Sequence, residues 1–232
     1  MKPQSGSPAI NSGNNFLAQQ ASLITDQRGL NRFVGQVDMG AVEVEQVTDG
    51  VGIKSLTTVL LEDQSGLDKN FKDHDVLLSS IQRVLKEKPE SRVSVLADGS
   101  VRLTAFLPTD RAFRRLAFDL TGQRPKSDKQ TMKVLNSLEI ETLEKILLYH
   151  VILGEPITSV EVLGAKGLEL VTLSGERLNV RVTKLPRVFL RDANKDLKNP
   201  RILLKRTDIN IGNRQLAHTI NRVLVPIENL KS

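Results

Sequence analysis

The 232-residue chain has no cysteine and no tryptophan, and only one tyrosine and seven phenylalanines, so its interior must be built mainly from Leu, Ile and Val. Its composition, 39% hydrophobic and 26% charged, is that of a globular protein; the lack of cysteine excludes a disulfide scaffold, a thiol nucleophile and thiolate-held metals, and no apolar run approaches the roughly 18 residues of a membrane span. The formal charge of +6 does not point to nucleic acid, because bases and acids alternate along the chain and stacking aromatics are scarce, which leaves only a general attraction to acidic polymers.

Residues 1–45 differ in texture from the rest. Pro3 to Asn15 is turn chemistry, rich in Ser, Gly, Pro and Asn. Lys2, Arg28 and Arg32 stand against Asp26, Asp38, Glu43 and Glu45, so the whole basic excess belongs to the later part. A secretory signal would need an apolar stretch of about 7–15 residues after a basic start, and none follows Met1 here. Residues 46–54 read as a linker.

From Ser55 the pattern is α+β. Leu77, Leu78, Ile81, Val84 and Leu85 recur at helical spacing behind Asp73 and Asp75. Two β-favouring runs between Val93 and Phe106 flank Asp98-Gly99, which predicts a tight hairpin. Pro108 ends a strand, Thr109-Asp110 caps a helix with the stripe Phe113, Leu116, Ala117 and Leu120, and Gly122 stops it. Another helix carries Leu143, Ile146, Leu147 and His150. The period then becomes two. Leu168 to Thr172 and Leu178 to Val182 form a hairpin around Ser174-Gly175, followed by strand runs at 188–190 and 202–204. A long strand, Leu216 to Val225, runs to Pro226. The expected architecture is a wedge of mostly antiparallel sheet with helices packed on one side, plus an irregular N-terminal extension.

Three ordered boxes carry a resemblance. They are Leu103-Thr104-Ala105-Phe106-Leu107-Pro108-Thr109-Asp110-Arg111-Ala112-Phe113, then Leu147-Leu148-Tyr149-His150-Val151, then Leu216-Ala217-His218-Thr219-Ile220-Asn221-Arg222-Val223-Leu224-Val225-Pro226. Together they resemble the fasciclin domain over residues 55–228, leaving 229–232 as a tail. The resemblance implies an extracellular or cell-surface adhesion module, non-enzymatic and without cofactor, whose partner is a cell-surface or matrix protein or a glycan. Such a module is expected to be a monomer in isolation. The family's Asp is here Asn221, and its Asn-Gly before the last strand is here Asn213-Arg214. Upstream, Ser7-Pro8-Ala9-Ile10, Asp26-Gln27-Arg28-Gly29 and Asp38-Met39-Gly40-Ala41-Val42-Glu43 resemble the closing coil of bacterial surface β-helix proteins. A lone coil has no stacked neighbour, so a shortened exported protein is expected, with the related alternative of a polysaccharide-binding module beside a glycan-active β-helix.

Within the boxes, Phe106, Pro108, Thr109, Asp110, Phe113, His218 and Asn221 read as fold-makers. His150, on an apolar stripe, reads as a hydrogen-bonded core residue, while Tyr149, its neighbour, should point partly outward. The family resemblance attaches partner contact to Tyr149 and His150. No metal site is expected: His74, His150 and His218 are scattered, and the Asp192 to Asp196 run lacks the Gly and Glu that complete a calcium loop. No nucleophile elbow, phosphate loop or dinucleotide fingerprint occurs. Partner-specific contacts are expected in the loops around Val93 to Thr104 and Arg191 to Pro200.

Overall fold

The structure, a computed structural model, describes residues 51–226 apart from 186, and a few isolated positions before residue 40. Apart from such isolated positions, the β-helix-like stretches lie outside the described residues, as does the C-terminal tail.

Helix α1 (Leu56–Glu62) opens the domain and α2 (Asp75–Glu87) follows, its stripe of Val76, Leu77, Leu78, Ile81, Val84 and Leu85 fully buried. Strand β1 (Leu103–Pro108) leads into α3 (Asp110–Thr121), where the Thr109 hydroxyl accepts from the Ala112 amide and Gly122 closes the helix at φ 72°. Helices α4 (Asp128–Leu135) and α5 (Ile140–Leu148), strand β2 (Val151–Leu153) and short α6 (Ser159–Gly164) complete the first half. Then come β3 (Glu169–Val171), β4 (Arg177–Val182), β5 (Val188–Arg191) and β6 (Gln215–Ile220).

The strands form two three-stranded sheets, ordered β2-β1-β6 and β3-β4-β5. The first differs from the expected antiparallel pattern, for β1 pairs with β6 in parallel, Leu103 opposite Gln215 through Pro108 opposite Ile220. Every residue of β1 and β6 is buried, as parallel strands covered on both faces must be. Leu103, Ala105 and Leu107 face the helices, whereas Phe106 and Ile220 face the second sheet. The first sheet is thus the middle of three layers.

Four local expectations are corrected. No hairpin turns at Asp98-Gly99. Instead Arg92–Ala97 is a 3-10 turn capped by Ser91, and the buried Gln215 amide donates to the Val95 and Asp98 carbonyls, both at 2.7 Å. Gly99 is needed for a close approach, because a Cβ there would sit 1.6 Å from the Ile53 carbonyl oxygen. The closing strand is also shorter than its apolar run, ending at Ile220. At Asn221 the side-chain oxygen accepts from the Arg201 amide at 2.8 Å, turning the chain toward the second sheet. The run at 202–204 is a tie rather than a strand: Ile202 donates to the Val188 carbonyl and Leu203 to that of Thr219, joining the two sheets. The expected linker is likewise engaged at its end, where Gly52 donates to Gly212 and accepts from Arg214.

Candidate functional site

The histidines are internal. His150 is 3% exposed and follows α5. The Leu224 amide can only donate, so His150 Nε2 must accept from it, at 2.9 Å. That leaves the proton on Nδ1, which donates to the Ile146 carbonyl at 2.7 Å. Burial holds this imidazole at about 4, neutral at physiological pH. His218 on β6 has the opposite tautomer: Nδ1 accepts from the Asp208 amide at 3.3 Å and Nε2 donates to the Ile157 carbonyl at 2.8 Å. Burial lowers its pKa too. Its ring lies 6.2 Å from that of Phe106, inside the layer between the sheets. His74, expected in a charged loop, is the buried residue before α2, and burial followed by the positive Arg206 lowers it to about 3.

Tyr149 does not point outward. It is fully buried against the second sheet, because the helix ends at Leu148 and the chain turns its ring away from the stripe. Its hydroxyl donates to the Arg177 carbonyl at 2.9 Å and accepts from the Ala193 amide at 3.0 Å, and burial pushes its pKa up to about 12. These two bonds, with the Val225 amide donating to Asp192 at 3.1 Å, pin the start of the 191–200 loop to the core. Within that loop, Asn194 accepts from the amides of Asp196 and Leu197, a self-contained acidic turn. Of the remaining motif residues, Phe106 and Phe113 are buried, and Asp110 accepts from the Val76 amide of α2 at 3.0 Å rather than capping its own helix.

The accessible chemistry lies elsewhere, on a basic face that the dispersed sequence hides. Alternation along β4 and β5 leaves Arg177, Arg181 and Arg191 on the outer side of the second sheet. Arg177 pairs with Glu169 across the β3–β4 ladder. Beside β5 the Phe189–Arg201 bridge extends this face into a groove of about 400 Å³, lined by Arg187, Arg201, Lys205 and Arg206 over Ile202, Leu203 and Leu204. Four of its seven lining residues are cations and none is a carboxylate. Asn221 positions it, since Arg201 is held by Asn221 through both amide and carbonyl. The sequence signal was the Arg/Lys density between 181 and 206, visible only once strand alternation assigns it to one side.

A scan against family models matches the fasciclin domain over residues 57–226. The chain belongs to the fasciclin domain family. Fasciclin domains are associated with cell adhesion and are typically extracellular or surface modules. Among solved structures, the fasciclin chain is similar to a FAS1 domain pair from the insect cell adhesion molecule fasciclin I. The identity is 18% and the TM-score 0.43, over 63% of this chain and 47% of that one, so it spans about half of that structure's length. No curated protein matches. Among the described residues no helix is long and apolar enough to cross a membrane.

Proposed function

We propose that this fasciclin domain is an extracellular contact module that holds polyanionic glycan chains of a cell surface or matrix through the basic groove and the adjoining face of the second sheet. The observation that carries the reading is the groove lined by Arg187, Arg201, Lys205 and Arg206, the last three on a segment tied to both sheets, with no carboxylate in its lining. Each exposed ion contact contributes only modestly, so a single copy binds weakly and depends on salt, while clustered copies gain by avidity. Recognition of neutral sugars by stacking fits less well, because Tyr149 is buried and Phe71 lies under the Arg114 guanidinium, 4.2 Å from its ring centre. Catalysis finds no support in His150 and His218, whose ring nitrogens are committed to the fold.

The test is surface plasmon resonance of the monomeric chain on immobilised sulfated, carboxylated and uncharged polysaccharides. Binding to the anionic chains that weakens with salt, and is reduced at least about tenfold by Arg187→Glu with Lys205→Glu, is the expected result. Equal binding to the uncharged polymer, or no response to the double charge reversal, overturns it.

A further inference from the structure

Three helices begin at one point. Asp75, Asp110 and Asp128 are the first residues of α2, α3 and α4, and Asp73 lies just ahead of α2. One carboxylate oxygen from each of Asp73, Asp75 and Asp110 lies within 4.8 Å of the others. All four aspartates are buried, Asp110 and Asp128 completely. None takes part in the ion pairs found among the described residues.

Where their hydrogen bonds go can be followed oxygen by oxygen. Asp75 accepts from the Ser65 amide at 3.3 Å and its hydroxyl at 3.0 Å. Asp73 Oδ2 accepts from Asn70 Nδ2 at 2.6 Å and lies 3.2 Å from the same Ser65 hydroxyl, which has one proton for two carboxylates. Asp110 Oδ1 takes the Val76 amide. Asp73 Oδ1, Asp110 Oδ2 and both oxygens of Asp128 are buried and accept nothing from the protein. Buried carboxylate oxygens are normally partnered, and four orphans in one place need an explanation.

Two ordinary explanations fall short. Helix N-termini carry partial positive charge and favour carboxylates, yet no amide reaches Asp73 Oδ1 or Asp110 Oδ2, and the Asp68 amide near Asp128 only partly offsets its burial. The Asp73 and Asp110 carboxyls are within hydrogen-bonding reach and can share a proton, in keeping with burial raising Asp110 to about 9. One proton, however, serves only that pair and leaves Asp128, whose charge is felt by Asp110 and opposed by Asp73, Asp68 and Asp75.

We propose that Asp73, Asp75 and Asp110, backed by the charge of Asp128, form a site for a hard divalent cation, calcium by preference. The donor set is all carboxylate oxygen, which suits calcium and disfavours the softer transition metals. Two oxygens bound to one calcium at about 2.4 Å each can lie at most about 4.8 Å apart, a limit the cluster meets. The ion ties the 65–74 loop to three helix starts. The site is independent of the basic groove and of whatever that groove binds.

The experiment is calorimetric and thermal-melt titration of the whole chain, stripped with chelator, with CaCl2 and with MgCl2. The expected result is one calcium per chain at about 0.1–1 mM, the range of extracellular modules, with a raised Tm and a weaker response to magnesium. Asp110→Asn and Asp73→Asn, each checked for folding by circular dichroism, should weaken calcium at least about tenfold, while Asp192→Asn in the separate acidic turn leaves it unchanged. No heat and no Tm shift at 10-fold above that range sinks the proposal. So does binding that survives both substitutions at full strength, or that is lost in Asp192→Asn.

Discussion

The histidine nodes and the aspartate cluster are equally buried and polar, yet they are opposite in kind. At His150 and His218 every ring nitrogen meets a backbone donor or acceptor, so each imidazole is a tie between a helix end or loop and the first sheet. At Asp73, Asp110 and Asp128 four buried oxygens lack a well-formed donor and face chiefly one another's carboxylates. Burial therefore does not separate a strut from a site; completeness of partnering does. A residue whose every valence is spent within the fold has none left for a ligand.

Mutations can break this comparison. Phe113→Ala sets the scale: in a fully buried aromatic position it should cost roughly 3–5 kcal/mol in denaturant melts. His150→Leu should cost less, on the order of 1–3 kcal/mol, because it strands the buried Leu224 amide, whereas the Ile146 carbonyl keeps the Tyr149 amide. A neutral result would mean that those groups find other partners and that the node is no strut. Asp110→Asn should do the reverse in calcium-free buffer. It keeps an acceptor for Val76 and replaces a carboxyl that burial already holds protonated at neutral pH, so Tm should hold.

Acid sharpens the same contrast. His150 is held near 4 against an ordinary 6.5, so its neutral form contributes stability that is whole above pH 6.5 and is lost as pH falls toward 4. By the usual conversion this amounts to about 3 kcal/mol, and His74, held at about 3, acts in the same direction. Asp128 and Asp192 run the other way. Raised from 3.8 to about 6, each contributes stability when protonated, whole below 3.8 and lost as pH rises through 6. In chelator, Asp128→Asn should flatten the loss on the alkaline side of pH 4–6 while His150→Leu flattens the loss on acidification, as read from melts across pH. The smallest effect is Thr109→Ala, about 1 kcal/mol for loss of the α3 helix cap beside Asp110.

Much of the fold is legible in local sequence. The Asp73-Asp75 start, the Thr109-Asp110 cap, Gly122 and the turn at Gly175 are each set by neighbours a few residues away. What was not legible depends on distant partners. Asp98-Gly99 has hairpin chemistry, but Gln215 and Ile53 claim its surroundings. Tyr149 beside a core histidine reads as outward by helical geometry, and turns inward because the helix has already ended. The two candidate sites were hidden for a related reason. Asp75, Asp110 and Asp128 each look like a helix start taken singly, and Arg187, Arg201 and Lys205 like ordinary surface charge, until the fold collects them.

The parallel pairing of β1 with β6 sets the order in which this molecule can be assembled. During synthesis the apolar segment Leu103–Pro108 emerges with one edge answered by β2, and the other stays open until Gln215–Ile220 has left the ribosome. Helices can gather early, but the middle layer closes only at the last step, through a contact distant in sequence and therefore slow. A chain cut short before residue 215 would be left with a bare, adhesive strand edge, and its fate would be clumping rather than reduced activity.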